Sequence, residues 1–88
     1  MAQATVTATS GFAGQVKSVF EAAYPEGYVD VSKGYRRNVH VVVVSRAFDG
    51  MTEREKHDAV WDLARERFGK DTQRISILLA YSPDELKG

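Results

Sequence analysis

Cysteine is absent from the 88-residue chain. Its absence excludes disulfides, thiolate metal sites, cysteine nucleophiles and any cluster held by the chain's own sulfur. An excess of one charge is missing too, because 12 Lys and Arg balance 12 Asp and Glu for a formal net charge of zero. That balance argues against a dedicated, strongly basic nucleic-acid binder and leaves room only for a local patch. No apolar run approaches the roughly 18–20 residues of a membrane span, and the first residues lack the charge and hydrophobic stretch of a signal peptide. Phosphate-binding Walker loops, dinucleotide fingerprints and calcium loops are also missing. What is present suits a soluble domain: 43% of residues are hydrophobic and 27% charged, ordinary globular values. A chain of this size makes about one small domain with a modest core. The expectation is a cytoplasmic, single-domain protein, a monomer or weak homodimer, with no membrane contact.

Residues 1–10 are rich in Ala and Thr and carry no charge. They read as a flexible tail with little to bury, an extra edge strand being the alternative. Residues 11–88 read as one domain. Ser10 is placed to cap a helix in which Phe12, Val16, Val19, Phe20 and Ala23 recur on one face of a 3.6-residue repeat. Pro25 and Gly27 end it. Tyr28 to Ser32 alternates, Val29 and Val31 against Tyr28, Asp30 and Ser32, as a half-buried strand does. A short connector, Lys33 to Asn38, leads to Val39–Ser45. The unbroken run Val41–Val44 reads as a strand covered on both faces and central in its sheet. Thr52-Glu53-Arg54-Glu55 fits a capping box opening a second helix, with Val60, Trp61, Leu63, Ala64 and Phe68 as its buried face and Gly69 at its end. Ile75 to Tyr81 is a third apolar strand, and Ser82-Pro83-Asp84-Glu85 a last helical turn. The order α-β-β-α-β(-α) predicts an α+β fold: a three-stranded mixed sheet, covered on one face by two helices, with a parallel crossover through the second helix.

Two sets of residues stand out chemically. His57 lies three and four residues before Val60 and Trp61, so it is expected on the helix's apolar face, packed near Trp61. Metal ligation by His57 is the alternative, and a lone imidazole needs partners that the chain, with only His40 besides, hardly offers. His40 sits inside the valine run, where a packing role is expected. The second set is basic: Lys33, Arg36, Arg37 and Arg46 around the connector, and Arg65, Arg67, Lys70 and Arg74 near the end of the second helix. If the connector and the helix end share a side, phosphate contacts follow. The alternative is a solvated loop plus cations complementing a helix C-terminus. An enzyme has the least support, since Ser45 and His57 have no third orienting group and no oxyanion donor.

The stretch Val43-Val44-Ser45-Arg46-Ala47-Phe48-Asp49-Gly50-Met51, followed by Arg54-Glu55-Lys56-His57-Asp58-Ala59-Val60, resembles the BolA family. Ala80-Tyr81-Ser82-Pro83-Asp84-Glu85 is similar to that family's terminal Thr-Pro-Glu-Glu. The resemblance covers about residues 12 to 86 and implies a type II KH-like fold. It also implies a small non-enzymatic adaptor that partners a monothiol glutaredoxin, with a [2Fe-2S] cluster shared between them. No cofactor is expected on the chain alone. The family's ligand histidine opens the last strand; Arg74 stands there in this sequence, and a guanidinium has no lone pair to give iron. His57 is the histidine that matches the family, and His57, Arg65, Lys70 and Arg74 are the expected partner-binding set. Some family members are described as DNA-binding regulators, which makes Lys33, Arg36, Arg37 and Arg67 the alternative, nucleic-acid-binding set, with DNA as partner. The only Gly-x-x-Gly string, Gly11-Phe12-Ala13-Gly14, lies outside the KH position between two helices.

Overall fold

In the computed structural model, residues 11–86 are described. The tail expected over residues 1–10 and the Ser10 cap lie outside that range. Helix α1 (Gly11–Ala23) is followed by β1 (Tyr28–Lys33), β2 (Val39–Val44), α2 (Glu53–Phe68), β3 (Ile75–Tyr81) and the single turn α3 (Pro83–Leu86). Short 3-10 turns occupy Tyr35–Arg37, Arg46–Phe48 and Gly69–Arg74. The sheet has three strands in the order β1-β2-β3. β1 pairs antiparallel with β2, Tyr28 facing Val44 and Lys33 facing Val39. β2 pairs parallel with β3, Val39 facing Ile75 and Val44 facing Tyr81. The mixed sheet with a central valine strand is thus the architecture that the hydrophobic patterns predict. No described helix is long and apolar enough to cross a membrane.

Local chemistry explains the elements. The Thr52 side chain accepts from the Glu55 backbone at 3.1 Å while the Glu55 carboxylate accepts from the Thr52 N–H at 2.8 Å. Two first-turn donors are satisfied that way, and the acids Glu53 and Glu55 complement the positive end of the helix dipole. Gly69 ends α2 at a positive φ of 57° that glycine adopts without strain. Ser45 is not a strand residue: its hydroxyl accepts from Ala47 N at 3.0 Å and caps the turn that follows β2.

Phe12, Val16 and Phe20 of α1 and Val60 and Ala64 of α2 pack on Val29, Val39, Val41, Val43, Ile75, Leu78 and Ala80, with Phe48 closing one end. The valine run differs from its expectation. Val39, Val41 and Val43 are buried, whereas His40, Val42 and Val44 are only half-buried. Both long helices put their buried residues into the same core, so the opposite face of β2 has no layer of its own. A bulge does the same for β3. Val39 faces Ile75 but His40 faces Ile77, so Ser76 is an extra residue in the ladder. Past it the pleat reverses phase: Ile75, Leu78 and Ala80 point to the core, while Ile77 and Leu79 are each 41% exposed.

Candidate functional site

Parallel pairing of β2 and β3 has a direct consequence for the loops. The segments entering these two strands, residues 34–38 and 69–74, must lie side by side at one end of the sheet. The first turn of α1 reaches the same end. The Phe12 ring meets Phe68 edge-to-face at a centroid distance of 5.4 Å, and the Arg74 guanidinium lies 4.4 Å above the centre of the Phe12 ring. Between these pieces opens a cleft of about 310 Å³, lined by Phe12, Ala13, Lys33, Gly34, Arg37, Val39 and Arg74.

The hairpin loop is shaped at a cost. Arg36 and Arg37 both adopt left-handed backbone, with φ of 56° and 69°. For a residue with a Cβ this conformation costs roughly 1–2 kcal/mol. Gly34 N–H donates to Asn38 O at 2.7 Å and closes the loop. A Cβ on Gly34 would run into the His40 ring, which fills the space behind it. His40 therefore packs against the loop from the other side, the structural role expected for it.

Lys33, Arg37 and Arg74 supply three positive charges to this cleft, and no carboxylate is among the residues that line it. The ion pairs of the described residues engage other cations: Lys17 with Glu21, Arg46 with Asp49 and Asp84, Lys56 with Glu53 and Glu85, Arg65 with Asp62. The cleft is a concave, cationic surface with an apolar floor of Phe12, Ala13 and Val39. Its charges remain available to an incoming anion.

The residues singled out in the sequence are distributed as follows. Of the expected partner-binding set, Arg74 lines the cleft. Arg65 pairs with Asp62 on the exposed face of α2, and Lys70 is exposed on the following turn. Of the nucleic-acid set, Lys33 and Arg37 line the cleft, whereas Arg36 and Arg67 are exposed and outside its lining. His57 is not part of the cleft lining. It borders a smaller groove of about 110 Å³ with Glu53, Lys56 and residues Leu78–Tyr81. That groove adjoins the C-terminal half of β3, whereas Arg74 immediately precedes its first residue. Residues 75–77 lie between Arg74 and Leu78, the first strand residue of that groove, a separation of about 13 Å along the strand.

The expectation that His57 lies on the apolar face is corrected. The buried row of α2 is Lys56, Val60 and Ala64, spaced by four. His57 belongs to the neighbouring row, exposed, with its ring 6.0 Å from that of half-buried Trp61. Lys56 is the residue that sequence reasoning missed. Its side chain is 2% exposed, and its Nζ donates to both Glu85 oxygens at 2.8 and 2.6 Å and to Glu53 at 3.0 Å. Glu85 also accepts from the Ser82 backbone at 2.7 Å. The hydrogen bond from Lys56, and next the one from Ser82, hold the Glu85 carboxyl below the usual carboxylate range. Reciprocally, the Glu85 bond raises the Lys56 ammonium above its usual value, against the opposing effect of burial. This network ties α3 to α2. The only advance signal was the four-residue spacing of Lys56 with Val60 and Ala64.

The donor set does not fit an iron–sulfur cluster. The cleft offers two guanidinium groups and an ammonium, none of which has a lone pair to give at neutral pH. Among the described residues no group of three His, Asp or Glu side chains is placed to hold a metal ion, and His57 stands alone at the other end of β3. Ser45 is committed to structure. Its hydroxyl donates to Glu26 as well as accepting from Ala47, and the bond from Ser45 is the main cause of a lowered Glu26 carboxyl.

With this geometry in place, comparison with solved structures finds a likeness to a structure described as a bolA protein homologue from Coxiella burnetii. The two share 26% sequence identity with a TM-score of 0.61, over 90% of this chain and 100% of that one. No protein-family model matches the chain, and no curated protein does. The fold is therefore BolA-like, an α+β domain with a three-stranded mixed sheet.

Proposed function

We propose that this chain is a non-enzymatic, BolA-like adaptor that docks on a protein partner through the cationic end of its sheet. A thioredoxin-fold partner such as a monothiol glutaredoxin is the candidate the resemblance implies. One observation carries the reading: on a BolA-like fold, Lys33, Arg37 and Arg74 converge on one cleft with no acid among its lining residues. Such charges steer association and form charge-assisted bonds to a partner's carboxylates, bidentate for the two arginines. Cluster ligation is no part of this reading, because the cleft holds cations where ligands would be needed. Catalysis is left out as well, since the Ser45 hydroxyl is buried and occupied by Glu26 and Ala47.

The test is a titration of the chain with a purified monothiol glutaredoxin, followed by calorimetry. Saturable binding that weakens at least tenfold in Arg74→Glu or Arg37→Glu, and is unchanged in Arg67→Glu, supports the adaptor. Absence of binding, or equal affinity across all three variants, overturns it.

The presence of Lys33 and Arg37 in the same cleft favours DNA as the second reading. Each phosphate neutralised on duplex DNA contributes a slope of roughly −0.9 to the log–log dependence of affinity on salt. A flat salt response, or unaltered DNA binding by an Arg37→Glu variant, removes this alternative.

A further inference from the structure

We infer that the cleft is a binding site for the phosphoryl group of a small phosphomonoester, its organic part lying along the apolar wall at Ala13, beside the Arg74–Phe12 stack. The inference rests on reading the cleft as the functional site and names the chemical group it receives.

The choice of anion follows from number and direction. Three cations reach the cleft from three separate places in the chain: Lys33 from the end of β1, Arg37 from the hairpin loop, and Arg74 from the turn before β3. A planar carboxylate has two oxygens and one charge, and a single arginine fork satisfies it. A phosphomonoester near neutral pH carries about −1.5 to −2 charge on three terminal oxygens. It can accept from two arginine forks and a lysine at once, from different directions. Arginine in particular favours phosphate, because its fork is rigid, planar and always charged.

The cleft also has room for more than the phosphoryl group. A volume of about 310 Å³ falls at the lower end of sites that enclose small organic ligands, roughly 300–1,000 Å³. Phe12, Ala13 and Val39 give it an apolar wall. The Phe12 ring is already overlain by Arg74 at 4.4 Å, a contact that favours this position of the guanidinium before any ligand arrives. A preset guanidinium loses less freedom on binding than one free in solvent. The left-handed backbone at Arg36 and Arg37 fits the same picture. Strain of this kind persists where surrounding structure holds it, and it clusters at ligand sites.

Heteronuclear NMR titration of the full chain tests this with phenyl phosphate, inorganic phosphate and benzoate as probes. Phenyl phosphate is expected to shift the backbone signals of residues 12, 13, 34, 37 and 74 and to bind at least tenfold more tightly than benzoate. Arg37→Gln and Arg74→Gln are each expected to weaken phenyl phosphate at least tenfold, with Arg67→Gln unchanged. Inorganic phosphate as tight as phenyl phosphate overturns the organic part of the inference. Benzoate as tight as phenyl phosphate, no binding at millimolar probe, or an equal loss in Arg67→Gln overturns the site itself. Far-ultraviolet circular dichroism confirms that each variant is folded. The same variants in the glutaredoxin titration separate the two ideas. Loss of partner binding without any phenyl phosphate binding sinks this inference and spares the adaptor; the reverse spares the site and sinks the adaptor.

Discussion

Gly27 shows how one missing carbon can decide a structure. A Cβ built there would fall on the Val44 carbonyl oxygen and press on Ser45, both at the end of β2. Backbone cannot swing aside as a side-chain tip can, so Gly27→Ala is expected to destabilise by about 1–3 kcal/mol. Urea denaturation measures it, and a change under 0.5 kcal/mol contradicts the packing. Arg37 presents the opposite case. Its left-handed φ of 69° costs stability, and it has no ion pair with a described residue to offset that cost. Arg37→Gly is therefore expected to stabilise the fold by about 0.5–1 kcal/mol, because glycine occupies that region freely. The same change empties one side of the cleft, so stability and binding should move in opposite directions. Glu85 makes the pH prediction. Its folded carboxyl is depressed by the bond from Lys56, so the unfolded chain binds the proton more readily. The stabilisation is complete above the ordinary carboxylate range and fades as pH falls through it toward the depressed folded value. Thermal melts of Glu85→Gln from pH 7 to pH 3 should show a smaller loss of Tm than the wild type. An identical acid limb would mean the bond contributes nothing.

Elements were legible where their signals are local. The capping box of α2 needs only Thr52 and Glu55 three residues apart, and both of its hydrogen bonds form. Thr52→Ala is expected to cost about 1 kcal/mol in chemical denaturation. The alternation in β1 and the apolar stretch of β3 depend on neighbours in sequence, and they appear within a residue of their expected bounds. The valine run was half-legible. Its composition marked a central strand, but only the position of both helices on one side decides that Val41 is buried and Val42 half-buried. The two should therefore respond differently: Val41→Ala is expected to cost about 2–3 kcal/mol and Val42→Ala less than about 1.5. Equal losses would mean the sheet is covered on both faces. Lys56 was illegible for a related reason. A lysine in a charged helix reads as solvated, and its burial depends on Glu85 arriving from an element 29 residues away.

At the scale of the molecule, the cleft was legible only in pieces. Its three cations stand out in the sequence, but in two different sets, Arg74 for a partner and Lys33 and Arg37 for nucleic acid. Arg37 and Arg74 are distant along the chain, and nothing local to either reports the other. They meet because a helix carries the chain back from the end of β2, so that β3 starts beside the start of β2. His57 matches the family and Arg74 stands at the family's ligand position, which put both in one expected set, yet they line different depressions, one at each end of β3.

That arrangement also sets where the first and last described residues lie. Gly11 opens α1 one residue before Phe12 on the cleft wall, whereas α3 ends at Leu86 beside the Lys56 network, at the far end of β3. A fluorophore attached at exposed Leu86 therefore leaves the basic pocket unobstructed, and one attached at Gly11 crowds its rim. Immobilisation for surface binding measurements belongs at Leu86, where the captured molecules present their cations outward.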